Sequence, residues 1–346
     1  GPLLVYPSPH MAKKATKERP WRRIGSPEEG FGYLRGDGKP LRSPAALERI
    51  RRLVIPPAWT DVEISPDPEA KVQVTGFDKA GRKQYRYNTE FSAKRSRRKY
   101  RKLIDLAHCI PHLRTVTAEH LGRPGVGRER VLATVVRLMM RGAFRVGSER
   151  YATENKTFGL ATLRKSHLRI EGDNLVFQYR GKKAVHQRQV VADTPLVEVM
   201  REILELRGPR LFKYVDEEGH VRPVTSRDVN EYIKEIVGKR FTSKDLRTWG
   251  GTVRAATVLA ELGPPRNATE AKKNTLLACK LVSADLGNTP AVCRSSYIHP
   301  AVFERYERGQ TIAPLMRNEE RPGEASLPGR WYAEEAALMR FLERRS

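Results

Sequence analysis

Residues 84–106 read QYRYNTEFSAKRSRRKYRKLIDL, and the fold turns on the change of period inside them. Gln84 to Tyr87 alternates as a strand does, and from Phe91 onward the helical period takes over. The helical part is crowded with Lys94, Arg95, Arg97, Arg98, Lys99, Arg101 and Lys102. It follows directly on Lys79, Arg82, Lys83 and Arg86, with Tyr85, Tyr87 and Tyr100 interleaved. A charge run is ordinarily just a solvated helix face. Basic and aromatic side chains mixed in this way also suit a surface that grips phosphates and packs on sugars or bases. Lying at a domain junction, the stretch could equally be the hinge of a clamp.

Upstream, residues 21–90 read as a small antiparallel β domain. Gly30, Gly32, Gly36-Asp37-Gly38 and Pro40 punctuate its start, and a short helix over 45–53 ends before Ile55-Pro56-Pro57. Strands are expected over 62–64, 72–74 and 84–87, the last two joined by a turn at Asp78-Lys79-Ala80-Gly81. Residues 1–20 read as a basic tail, with Gly1-Pro2 and His10-Met11 as an expression scar. Downstream, 91–346 reads as a larger, mainly helical catalytic domain. Val131, Leu132, Val135, Val136, Leu138 and Met139 line one side of a core helix over 128–144 that Gly142 closes. An alternating run over 168–178 and its continuation to 191 form a β-hairpin with Gly181-Lys182 at or near the turn. Helices are expected over 195–207, 226–237, 251–262, 269–286 and, after a linker-like 318–329, over 331–344. The fold class is therefore α+β.

Charge sets the class of partner. Sixty-five Lys and Arg against 40 Asp and Glu give 346 residues a formal charge of +25, which implies a polyanion, nucleic acid first. No apolar run of about 18 residues and no signal-peptide pattern argue for an acidic membrane instead. A soluble protein of the cytoplasm, associated with the nucleoid, is expected. Cys109, Cys279 and Cys293 form no CxxC pair, and Pro111 separates His108 from His112, so no metal site is expected.

Residues 285–300, DLGNTPAVCRSSYIHP, carry the chemistry. Gly287 and Asn288 form a turn, Thr289 is a good N-cap and Pro290 suits the first helical position. The short helix carries Tyr297 near its far end, and His299, forced out of the α region by Pro300, stops it. Phosphodiester transfer needs a nucleophile, stabilisation of charge on a pentacoordinate phosphorus, and a proton for the leaving alkoxide. There is no convincing carboxylate cluster for two metal ions and no Walker loop, so the cations must be side chains.

Separated blocks along the chain resemble the type IB DNA topoisomerases, in the small form of bacteria and poxviruses. Ile55–Trp59 (IPPAW) and Gly81–Asn88 (GRKQYRYN) are similar to that family's N-terminal domain. Arg145–Tyr151 (RVGSERY) with Thr157–Leu163 (TFGLATL), Gly181-Lys182, Lys244–Gly250 (KDLRTWG) and the stretch 287–300 follow in the family's order. The resemblance implies that Tyr297 attacks the phosphorus to form a 3′-phosphotyrosyl ester. Arg145 and Arg247 would hold non-bridging oxygens, Lys182 would protonate the 5′ leaving oxygen, and Asn288 would donate a hydrogen bond. It also implies a DNA surface of Lys83, Gln84, Tyr85, Arg86, Tyr87, Arg95, Arg98 and Lys99, a C-shaped clamp, duplex DNA as partner, no cofactor, and action as a monomer.

Asn288 departs from the family, which usually has histidine there; an amide donates but carries no charge. Locally, Arg145 could merely cap the preceding helix, Arg247 could pair with Asp245, and Lys182 could be a turn residue beside Lys183. His299 reads as structural rather than as a base. Tyrosine recombinases share the constellation, but they typically place histidine three residues before the second arginine, where this chain has Lys244, and histidine or tryptophan at Asn288. A basic DNA-packaging protein would explain the charge but not the ordered Arg, Lys, Arg, Tyr set.

Overall fold

The structure, a computed structural model, describes residues 18–142, 144–316 and 332–344. All but the last three residues of the expected tail, and the whole linker-like segment, lie outside that set. The chain forms two compact units that divide between Lys99 and Tyr100. The fold is α+β, an antiparallel sheet followed by a helical core.

The first unit holds strands β1 (Trp21–Ser26) and β2 (Gly30–Leu34), helix α1 (Pro44–Arg52), and strands β3 (Thr60–Ile64), β4 (Val72–Phe77) and β5 (Lys83–Tyr87). The sheet order is β2-β1-β3-β4-β5, antiparallel throughout, which leaves β5 at an edge. Ser43 caps α1 by accepting from the Ala46 N–H, and Pro44 takes the position where no N–H is needed. The helix lays Ile50 against Trp21, Val62, Ile64 and Val74, a small core under one face of the sheet. The β4–β5 turn forms as its sequence predicts. Asp78 accepts from the Ala80 and Arg82 N–H groups at 2.9 and 3.0 Å, and Gly81 takes the left-handed position at φ 69°.

Helix α2 (Thr89–Leu121) continues through Pro111. An internal proline costs about 3 kcal/mol. Here Leu103, Leu106, Ala107, Ile110 and Leu113 are all buried along one side, which offsets that cost. His108 is engaged by Glu343 at 2.7 Å.

Helix α3 (Arg128–Arg141) is the axis of the second unit. Val131 to Val136, Leu138 and Met139 are buried all round it, as befits a central rather than an amphipathic helix. Trimming Leu132 to alanine there should cost about 2–5 kcal/mol. After α4 (Glu149–Asn155) come β6 (Leu168–Glu171), β7 (Asn174–Arg180) and β8 (His186–Ala192), a three-stranded meander. The expected first arm, 168–178, is thus itself folded back at Gly172, which takes φ 60°. A short 3₁₀ turn, Lys182–Ala184, joins β7 to β8. There follow α5 (Thr194–Glu205), the small hairpin β9 (Lys213–Val215) and β10 (Val221–Pro223), and α6 (Ser226–Val237).

The remaining helices are α7 (Ser243–Leu262), α8 (Ala268–Leu286), α9 (Pro290–Ser296), α10 (Pro300–Tyr306), α11 (Ala313–Met316) and α12 (Ala333–Glu343). Helix α7 begins eight residues before the expected 251. Its start is a capping box in which Asp245 accepts from the Thr242 N–H at 2.9 Å. Helix α12 is seated by Ala336 to Met339, Phe341 and Leu342, and by one buried carboxylate. Glu335 accepts from both Nη atoms of Arg114 at 2.6 and 2.8 Å, from the Trp249 Nε1–H at 3.2 Å and from the Tyr332 N–H at 3.0 Å.

Candidate active site

The two arginine blocks and the tyrosine block meet at the C-terminal end of α8. Gly287 ends that helix at φ 60°, and the last carbonyls of any helix lack partners within it. Guanidinium groups supply them. Arg247 Nη2 donates to the Leu286 carbonyl at 2.9 Å. Arg145 Nη2 donates to the Leu286 and Gly287 carbonyls at 3.3 and 2.9 Å, and to Asn288 Oδ1 at 2.8 Å. Arg145 therefore caps α8, not the helix that precedes it. Asp245 ties α7 to Lys102 Nζ at 2.6 Å.

Local folding explains why each group stands there. Arg145 precedes a clasp in which the Leu160 and Ala161 N–H groups donate to the carbonyls of Arg145 and Val146 at 2.9 and 2.7 Å. The clasp needs glycine on both sides. A β-carbon on Gly159 would stand 2.5 Å from the Gly147 nitrogen. Thr289 caps α9 by accepting from the Val292 N–H, with Pro290 in the first turn. Tyr297 sits at the helix end, and His299 caps α10 through Nδ1, which accepts from the Ala301 N–H at 3.1 Å. The histidine ring also lies 4.8 Å from that of Tyr100.

Helix α7 grips the tyrosine from behind. A β-carbon on Gly251 would stand 2.8 Å from the Tyr297 carbonyl oxygen. Thr252 Oγ1 accepts from the His299 N–H at 3.2 Å and lies 3.4 Å from the Tyr297 carbonyl. Neither Gly251 nor Thr252 was picked out from the sequence; the signal was a Gly-Gly pair inside a helix, where glycine otherwise costs about 1 kcal/mol. The Arg247 guanidinium stands 5.5 Å from the centre of the Tyr297 ring.

The electrostatics shift Tyr297 towards easier ionisation. Burial alone would raise the Tyr297 pKa, but Arg247, Arg145 and Lys244 outweigh it, and the net direction is down. Arg247 is 5% exposed; burial and then the repulsion of Arg145 bring it down to about 10, which leaves it charged at neutral pH. Tyr179, beside the same arginines, shows the opposite balance, with burial pushing it up to about 12. Cys293, on α9, is pushed up to about 11 by burial and by Cys279, and stays a thiol.

Asn288 Nδ2 is buried without a hydrogen-bond partner. Because Arg145 donates to the amide oxygen, the NH₂ group is the end left for an incoming acceptor. Arg145, Lys182, Arg247 and Asn288 line a single cleft of about 1150 Å³. Lys182 differs from the others in being exposed, on the loop between β7 and β8.

In the first unit, Lys83, Tyr85 and Tyr87 share one face of β5, with Tyr85 46% exposed and its ring 6.2 Å from that of Tyr87. Arg95 lies 5.9 Å from the Tyr87 ring centre. Arg98 is exposed and Lys99 half-buried. Gln84 and Arg86, on the other face, already donate to Asp78 at 2.8 Å and to the Val54 carbonyl at 2.9 Å. Tyr100, grouped with these aromatics on sequence, is buried and bonds the Ser295 carbonyl at 3.3 Å, so it belongs to the second core. Among the described residues, Asp216, Glu218 and His220 could offer ligands to a cation, but Asp216 is held by Arg222 at 2.8 Å. No helix of the described residues is long and apolar enough to cross a membrane.

Comparison with known proteins bears on this geometry. The family model described as eukaryotic DNA topoisomerase I, catalytic core, matches residues 88–320. That described as bacterial DNA topoisomerase IB, N-terminal domain, matches residues 30–78. DNA topoisomerase 1B of Acanthamoeba polyphaga mimivirus is 33% identical over 281 residues, covering 79% of this chain and 84% of its own. DNA topoisomerase 1B of vaccinia virus (strain Copenhagen) is 25% identical over 75% of this chain and 81% of its own.

Proposed function

Because the chain belongs to the type IB DNA topoisomerases, we propose that it relaxes supercoiled DNA by transient cleavage of one strand through Tyr297. The observation that carries the reading is the meeting of Arg145 and Arg247 on the Leu286 carbonyl, with Asn288 beside them and the Tyr297 ring 5.5 Å from Arg247. Two fixed guanidiniums at one point suit the non-bridging oxygens of a phosphate, which they can hold bidentately.

In the forward step the Tyr297 oxygen attacks phosphorus as its proton leaves to solvent, and the bond from phosphorus to the 5′ oxygen breaks. Arg145, Arg247 and the Asn288 amide balance the extra charge on the non-bridging oxygens, each such contact contributing about 3–4 kcal/mol. Lys182 gives its proton to the departing 5′ oxygen, an acid role worth roughly 10²–10⁴-fold. One phosphodiester is exchanged for one phosphotyrosyl ester, so the free 5′-hydroxyl can swivel and reseal the strand by the reverse reaction without ATP. Residues 21–90 would serve as the DNA-binding domain, with Lys83, Tyr85 and Tyr87 on the duplex; residues 91–346 would be the catalytic domain, with Arg95, Arg98 and Lys99 also on the duplex.

The test is incubation with supercoiled plasmid in EDTA without ATP, quenched with detergent. Relaxation with a trapped covalent adduct is expected, and Tyr297→Phe should bind DNA yet form no adduct. A mobility shift without relaxation, or nicking by Tyr297→Phe, would sink the proposal. Stable plasmid multimers would point to a recombinase.

A further inference from the structure

Gln187 belongs to none of the blocks that carry the family resemblance, yet its side chain crosses between two of them. It sits on β8 opposite Tyr179, one residue beyond the pairing of Arg180 with His186 that closes the Lys182 loop. A β-carbon on Gly181 would stand 2.8 Å from Gln187 Cγ. At the far end, a β-carbon on Gly287 would stand 2.8 Å from Gln187 Nε2 and 3.1 Å from Oε1. The stem of the side chain therefore lies against the residue before Lys182, and its amide against the residue before Asn288. Gly287 is needed twice over, once for its φ of 60° and once for this approach. Its carbonyl is one that Arg145 holds, and Gln187 lines the same cleft as Lys182 and Asn288.

An ordinary strand residue would need only the alternation of β8. A side chain fitted between two glycines from separate parts of the fold fixes the distance between them. We propose that Gln187 is a positioning residue, a strut that holds the Lys182 loop in register with the turn carrying Asn288 and Arg145's acceptor. It acts through Lys182, setting where the ammonium meets the leaving 5′ oxygen. This rests on the catalytic reading above.

The experiment is single-turnover cleavage of a duplex with an ordinary phosphodiester and of one with a 5′-bridging phosphorothiolate, whose sulfur leaves without a proton. Wild type and Lys182→Ala run in the same series. Gln187→Ala should cleave the ordinary duplex about tenfold or more slowly, a part of the roughly 10²–10⁴-fold that a general acid supplies. On the phosphorothiolate it should approach wild type, with DNA affinity unchanged. Gln187→Met, which keeps the length without the amide, should recover most of the rate. A wild-type rate for Gln187→Ala, or an equal loss on both substrates, would overturn the proposal. If Lys182→Ala is itself not rescued, the catalytic reading falls and this inference with it; if it is rescued while Gln187→Ala is not, only this inference falls.

Discussion

The α8 end and the β7–β8 loop hold their cations in opposite ways. At α8, Arg247 is buried, Arg145 makes three hydrogen bonds, and both are fixed before any substrate arrives. On the loop, Lys182 is exposed, and Ala184, two residues on, takes φ 62°, a left-handed backbone that costs a residue with a β-carbon about 1–2 kcal/mol. The difference matches the two tasks of the proposed mechanism. Charge on the non-bridging oxygens develops at one place and is best met by dipoles that need not reorganise. The leaving oxygen must later move away with its strand, and its acid is better carried on an element that can follow it.

That contrast can be broken by experiment. Lys182→Ala should slow cleavage of an ordinary duplex by roughly 10²–10⁴-fold and recover on a phosphorothiolate; lack of recovery would remove the loop from proton transfer. Arg247→Ala should cost roughly 10²–10³-fold on both substrates in single-turnover assays. Selective rescue of this variant would mean that the two cations do not divide the work. Gly251→Ala must displace the Tyr297 carbonyl from its 2.8 Å approach. A misplacement of about 1 Å near reacting atoms costs about 10²-fold, and the smaller shift needed here should cost less than that, read in the rate of covalent adduct formation with DNA affinity unchanged.

The smallest effect is on pH. In the proposed mechanism the deprotonated phenol is the attacking form, and the Tyr297 pKa is lowered. Cleavage of the phosphorothiolate should therefore rise with pH and level off below the ordinary phenol value of about 10. In Arg247→Ala the burial of Tyr297 is no longer offset by its largest counterweight, and the inflection should move up.

The same contrast explains what the sequence made legible. Short-range signals read correctly where Thr289-Pro290 starts a helix and Asp78 with Gly81 makes a turn; α9 ends at Ser296, three residues before the stop expected at His299, which instead caps α10. The family blocks named the residues that the structure gathers around Leu286, because each block is a local motif. What was missed depends on partners distant in the chain. The helix continues through Pro111 on the burial of Leu106, Ile110 and Leu113 around it, which cannot be seen locally. Gly250-Gly251 was read as a helix start because the reason for Gly251, the carbonyl of Tyr297, lies 46 residues on. Gln187 was passed over because each of its glycine neighbours looks like an ordinary turn.

The seat of α12 has a consequence for incomplete chains. Arg114 has 12% of its side chain exposed, and it meets the Glu335 carboxylate together with Trp249, two residues past Arg247 on α7. Removing one member of a buried ion pair typically costs about 3–5 kcal/mol, so a chain ending at 332 should melt well below the full protein. A chain lacking those residues would keep Arg247 on an α7 that has lost the Glu335 anchor of Trp249. The geometry around Arg247 is thereby tied to a carboxylate 88 residues further along the chain.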